Sequence, residues 1–177
     1  IIPLSHDVLS MPQQRFSEHI IMQKEADDRR GADGRIGHQY YFGLLPFEGV
    51  VTTNPVGIEI VMQVKEALES VGYHVTLAEM PYSDPMPANL LKIQIREFDF
   101  KNFDLLFRTW GNIKLTLTLA NHEGKVLFTT TVQEYGQSTH WHYTEGYAEA
   151  VKSSFTGVLN QIVTASSTEE FREALKR

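Results

Sequence analysis

From Asn112 to Gln133 the chain alternates apolar and polar residues on either side of a turn, and few folds accommodate that. Ile113, Leu115, Leu117 and Leu119 fall on one side of an extended segment, and Lys114, Thr116 and Thr118 on the other. A period of two belongs to a strand with one face buried and one in water. Asn121-His-Glu-Gly124 separates the two arms and offers Asn and Gly where a turn needs positive φ. The segment therefore predicts a long β-hairpin that requires an apolar layer against one face.

Two amphipathic helices can supply that layer. Asn54 suits an N-cap and Pro55 the first helical position. Ile58, Val61, Val64, Leu68 and Val71 then recur at helical spacing until Gly72, a fitting C′ residue. A second helix is predicted from Glu145 to Val163, with Tyr147, Val151, Phe155, Val158 and Ile162 on one side. Ser167-Thr-Glu-Glu170 reads as a capping box that opens a short last helix through Phe171 and Leu175. Strands over 40–47 and 73–77 flank the first helix and predict a right-handed parallel β-α-β unit. Residues 80–87 hold three prolines and read as a loop. Leu91, Ile93 and Ile95 alternate with Lys92, Gln94 and Arg96 in a further strand over 90–98.

This order predicts an α+β fold, a two-layer sandwich. Its mixed β-sheet combines the β-α-β unit with an antiparallel meander. Two main helices pack on one face, and a short C-terminal helix follows. Residues 1–38 read as an irregular lead-in or tether, with Ile20-Ile21-Met22 as an edge strand at most. Residues 39–177 read as a single α+β domain.

Composition removes several functions. The formal net charge is −6 and no basic stripe is present, so nucleic acid is not an expected partner. With no cysteine, the chain has no disulfide, thiolate nucleophile or Cys-based zinc site. No apolar run approaches the roughly 20 residues of a membrane-spanning helix. Neither a Walker loop, a G-x-G-x-x-G turn nor a G-x-S-x-G elbow occurs, so no cofactor is expected and an enzyme is the weaker class. Gly31, Gly34 and Gly37 are spaced like turn glycines.

Three clusters are candidates for function. His140-Trp-His142 would place two imidazoles on one side of an extended segment, as a metal pair requires, with a third ligand from a distance, such as His122 or Asp99. The competing reading is a surface loop with Trp141 packed on the helix start. Asp27-Asp28-Arg29-Arg30 suits an acid/base or phosphate site, and the competing and favoured reading is exposed ion pairs, contributing about 0–1 kcal/mol each. The stretch from Phe98 to Trp110 concentrates aromatic residues. Phe98 and Phe100 are expected in the core. For Phe103, Leu106, Phe107 and Trp110 two readings stand side by side: strand ends packed in the core or, together with Trp141, a candidate surface for a partner or a membrane.

The chain resembles the small bacterial outer-membrane lipoproteins of the YajG type. The likeness lies in Asp28-Arg29-Arg30 followed by Ile36-Gly37, and in the helix closing on Leu68-Glu-Ser-Val-Gly-Tyr73. It continues through the Lys-Ile-type strand, the long hairpin, and the last helix running into Thr164-Ala-Ser-Ser-Thr-Glu-Glu-Phe171. The arrangement is also similar to LptE, PelC and the N-terminal domain of TolB. The resemblance implies a periplasm-facing domain at the outer membrane, anchored by a lipidated cysteine upstream of Ile1. It also implies an envelope protein partner or a homo-oligomer, and it carries over no catalytic residue. The expected function is therefore a non-enzymatic accessory or scaffold in outer-membrane transport or assembly. The alternatives are a small-molecule-binding module with a pocket between sheet and helices, and a metal-dependent enzyme using His140 and His142.

Overall fold

One 14-residue strand, Leu90–Phe103, organises the sheet. Along its whole length it pairs antiparallel with Arg108–Ala120, which pairs in turn with Val126–Thr139. Its other edge is shared in succession by three shorter parallel strands, His19–Gln23, Asp27–Asp28 and Arg35–Tyr41. Outside these lie His74–Ala78, parallel to the first, and Leu45–Val51, antiparallel to the third. In chain order the strands are β1 (19–23), β2 (27–28), β3 (35–41), β4 (45–51), β5 (74–78), β6 (90–103), β7 (108–120) and β8 (126–139). The helices are α1 (Val56–Ser70), α2 (Tyr143–Ser166) and α3 (Glu169–Leu175). The structure, a computed structural model, describes residues 1–10, 15–31, 34–41, 45–78, 87–103 and 107–177. The predicted proline loop over 80–87 lies almost wholly outside the described residues.

The fold is the expected α+β sandwich. Odd residues of β7 and even residues of β8 face the helices, so Ile113, Leu115, Leu117, Phe128 and Val132 are buried against Val151, Phe155, Val158 and Ile162 of α2. A β-bulge at Arg96 resets the parity of β6. Ile93 and Ile95 point inward before it, Phe98 and Phe100 after it, and all four are buried.

Several expectations need correction. The β4–α1–β5 order is as predicted, but β4 and β5 stand on opposite sides of the sheet with β3, β6 and β1 between them. Residues 40–47 are not one strand: Tyr40 and Tyr41 end β3, and 45–47 begin the antiparallel strand β4. Within the described part of residues 1–38 lie β1, β2 and the start of β3. β1 lies between β5 and β6, with Ile20 and Met22 fully buried. Residues 1–10 run across the helices, where the Leu4, Asp7 and Ser10 amides donate to Glu59, Thr156 and Asn160. In α1 the buried stripe is Ile60, Val61, Val64 and Leu68, and Ile58 is exposed. The cap of α3 is Thr168, whose hydroxyl accepts from the Phe171 amide, while Ser167 closes α2. Among the described residues β8 has one strand neighbour, β7. Its free edge is met at Gln133, whose backbone N–H and C=O are both bonded by the Gln161 side chain of α2.

Gly37 is not a turn glycine. A Cβ there would stand 1.7 Å from the Tyr147 hydroxyl, which donates to the Phe100 carbonyl at the centre of the sheet–α2 interface. Burial pushes the Tyr147 phenol well above its usual range, so it stays a neutral donor.

Candidate functional site

The sheet face turned away from the helices is uncovered by any described element, and its two ends differ. Near the hairpin turn at Asn121 it carries threonines: Thr116 faces Thr131, and Thr118 faces Thr129. Such a polar surface is usual where one side of an antiparallel sheet meets water. At the opposite end, Tyr40 of β3, Phe103 of β6 and Trp110 of β7 form a row of parallel rings. Tyr40 and Phe103 lie 4.9 Å apart, and Phe103 and Trp110 lie 4.7 Å apart. The Arg108 guanidinium sits 5.6 Å above the Trp110 ring and donates to Gln137. Phe103 and Trp110 are half-buried.

Beside this row lies a cleft of about 810 Å³. Trp110, Tyr40 and Tyr135 line it, with Arg29, Arg35, Arg96 and Lys101 around them. Glu97 and Asp99 are the acids on its wall, paired with Lys114 at 3.6 Å and Lys101 at 3.9 Å.

Arg29 and Arg30 of the Asp27-Asp28-Arg29-Arg30 cluster also line the cleft. Arg29 and Asp27 form the exposed pair the sequence suggests. Arg30 is different. Its side chain is 6% exposed and makes two bonds to Asp28, through Nε at 2.8 Å and Nη2 at 2.6 Å. Its Nη1 donates to the carbonyls of Arg35 and Phe98. Arg30 therefore ties β2 to the start of β3 and to β6 just past the bulge.

The other sequence candidates gather at the same end, as the antiparallel hairpin requires. Leu106 lies outside the described residues. Phe107 stands at the start of β7 with φ +46, a left-handed conformation. Its carbonyl accepts from the His140 amide at 2.9 Å, and its ring lies 4.4 Å from that of Trp141. Trp141 thus packs on Phe107 rather than on the helix start, and it is 80% exposed. The His140 and His142 rings are 6.3 Å apart, and the Nδ1 of His140 is 3.1 Å from the Glu145 carboxylate. His122 sits at the far end of the hairpin, on the order of 40 Å away along β8, and Asp99 faces the opposite side of the sheet. Among the described residues no three His, Cys, Asp or Glu side chains come together to hold a metal ion, so the expected third ligand is not supplied.

A further feature escaped the sequence reading. The helix-facing side of the sheet is apolar until its last row, where Gln39, Asn102, Thr109 and Ser138 are direct cross-strand neighbours and all buried. Only the inward parity of Phe98–Phe100–Asn102 and of Ile113–Gly111–Thr109 could have signalled it.

These features define an open-faced α+β sandwich with an aromatic, basic end on its free face. No family model matches the sequence, and no curated protein matches it. Among solved structures, the fold is similar to that of a Xanthomonas campestris protein of the family DUF330. The two are 17% identical, with 100% of this chain and 99% of that one aligned at a TM-score of 0.71. A PelC from Paraburkholderia phytofirmans, solved as a dodecamer, is 13% identical over 89% of this chain and 91% of that one, with a TM-score of 0.47. At 17% identity the likeness to the Xanthomonas campestris protein is one of fold.

Proposed function

We propose that this protein is a non-enzymatic, periplasm-facing module of the bacterial envelope that serves as a scaffold in outer-membrane transport or assembly. It does so by self-association through the open end of its sheet. The resemblance to YajG-type lipoproteins supplies the setting. The observation that carries the mode of action is the ring row Tyr40–Phe103–Trp110 under Arg108. Ordered aromatic rings with an arginine are the composition of interface anchors, not of a solvated face.

The occupant is a second copy of the chain. The surround of the row is basic, whereas the whole chain carries −6, so the rest of the chain is net acidic. A basic face meeting an acidic flank is a heterologous contact, which closes into rings when its rotation permits. Complementary charge of this kind sets orientation and association rate.

Sedimentation velocity over a concentration series tests this. Wild type is expected to associate reversibly, more weakly at high salt. Trp110→Ser and Arg108→Glu are expected to weaken association by about tenfold or more each, with thermal unfolding confirming that both fold. A wild type that stays monomeric at every concentration overturns the reading. The setting is checked separately on the full-length gene product. A start without a signal peptide and without a lipobox cysteine upstream of Ile1 would refute the lipid anchor.

A further inference from the structure

The polar row at the end of the sheet opens into a second cavity, on the helix side. It measures about 450 Å³ and lies between Gln39 and Asn102 on the sheet and the segment from His140 to Thr144 that leads into α2. Its volume falls within the usual range for small-molecule sites.

Asn102 is the centre of the argument. The residue is 2% exposed. Its Nδ2 donates to the Thr109 hydroxyl at 2.7 Å, and its Oδ1 has no partner. A buried polar atom left unpaired costs about 1–3 kcal/mol. Turning the amide over does not remove the deficit. Oδ1 would then accept from Thr109, and Nδ2 would be left without an acceptor. Oδ1 is itself closed off from solvent, so a ligand hydroxyl, both donor and acceptor, reaches it by a turn of the Asn102 side chain toward the cavity it lines. Ser138, the next polar residue of the row, is already engaged by the Gly146 carbonyl in the first turn of α2. Asn102 is thus the member of the row with a bond to spare.

The mouth of the cavity has a different chemistry. The Phe107 and Trp141 rings touch there, 40% and 80% exposed. Among the described residues no lysine or arginine lines the cavity, and His140 already faces Glu145. Polar groups at the base and flat apolar rings at the rim suit a molecule with many hydroxyls and an apolar ring face.

We propose that this cavity binds a neutral pyranose unit of a glycan. A sugar hydroxyl bonds the Asn102 amide, and the C–H face of the ring stacks on Trp141 and Phe107. This site is on the opposite side of the sheet from the self-association face and does not depend on it.

The test is amide-resolved NMR of the full chain, titrated with glucose, galactose and N-acetylglucosamine and their short oligomers. Shifts are expected at Asn102, Phe107 and residues 140–144. Trp141→Ala, at a largely exposed position, is expected to weaken binding about tenfold without changing Tm. Asn102→Leu separates a ligand role from a packing role: it is expected to abolish binding with little change in Tm, because it removes the unpaired Oδ1 together with the bond to Thr109. If no sugar shifts these amides, the proposal is wrong. It is equally wrong if Asn102→Leu lowers Tm sharply with binding retained, or if zinc alone, titrated without sugar, shifts residues 140–142 while sugars do not.

Discussion

Gly72→Ala is expected to destabilise the protein by about 3 kcal/mol or more, among the larger effects a single methyl group can produce. Gly72 ends α1 with φ +108. Its amide donates to the Glu69 carbonyl and the Tyr73 amide to Leu68, the two bonds of a Schellman motif. Alanine disfavours that backbone by about 1–2 kcal/mol. The larger cost is steric: a Cβ would stand 2.2 Å from the Phe16 carbonyl oxygen and 3.0 Å from its nitrogen. Phe16 cannot retreat cheaply, because its own amide is bonded to Val71 and its ring is stacked 5.0 Å from Tyr73. Tyr73 in turn meets Phe171 of α3, and Phe171 meets Phe128 of β8. The strain thus enters an aromatic cluster that joins the N-terminal segment, the end of α1, α3 and the sheet. Urea unfolding measures the loss. Gly31→Ala provides the control: Gly31 has φ +67 but nothing within 4 Å of a Cβ, so only the conformational part, about 1 kcal/mol, is expected. Equal losses at the two positions would show that the contact with Phe16 relaxes freely.

The contrast between those two glycines shows what the sequence makes legible. Gly72 follows an apolar stripe of period 3.6, and its role as a helix stop can be read locally. That Phe16 lies against it cannot, because the contact spans 56 positions of sequence. The same division runs through the fold. The hairpin, α1, α2 and the sandwich itself follow from local periodicity. The sheet order does not, because β1, β2 and β3 share one edge of β6 in series. Each is too short, or too charged in the case of Asp27–Asp28, to announce a place in the interior. In the aromatic stretch, the bulge at Arg96 resets the parity of β6. Phe98 and Phe100 are core as the sequence suggests, whereas the outward, half-buried place of Phe103 and Trp110 follows only from the register of β6 and β7. The polar row Gln39–Asn102–Thr109–Ser138 is drawn from four strands and exists only through their register.

Asp28 is where the second large effect is expected, in a cluster whose sequence favoured solvated ion pairs. Asp28→Ala should destabilise by about 3 kcal/mol at neutral pH, because it leaves Arg30 charged, 6% exposed and without a counter-ion. Loss of a surface pair would cost at most about 1 kcal/mol, so the measurement discriminates between the two readings. Arg30 cannot swing into water to recover, since its Nη1 is held by the Arg35 and Phe98 carbonyls and its guanidinium lies over the Phe98 ring. The same geometry predicts a pH dependence. Hydrogen bonds from Arg30 hold the Asp28 carboxyl below its usual range. A carboxyl with a depressed folded-state pKa stabilises fully above its unfolded-state value, and that stability is lost as pH falls through the folded-state value. The gap between wild type and Asp28→Ala in urea midpoint should therefore be constant near neutrality and narrow below about pH 4. Arg29→Ala, which removes the exposed partner of Asp27, should shift the midpoint little at either pH. A gap that persists unchanged into acid would mean that Asp28 acts through its shape and its bond to the Arg30 backbone amide rather than through its charge.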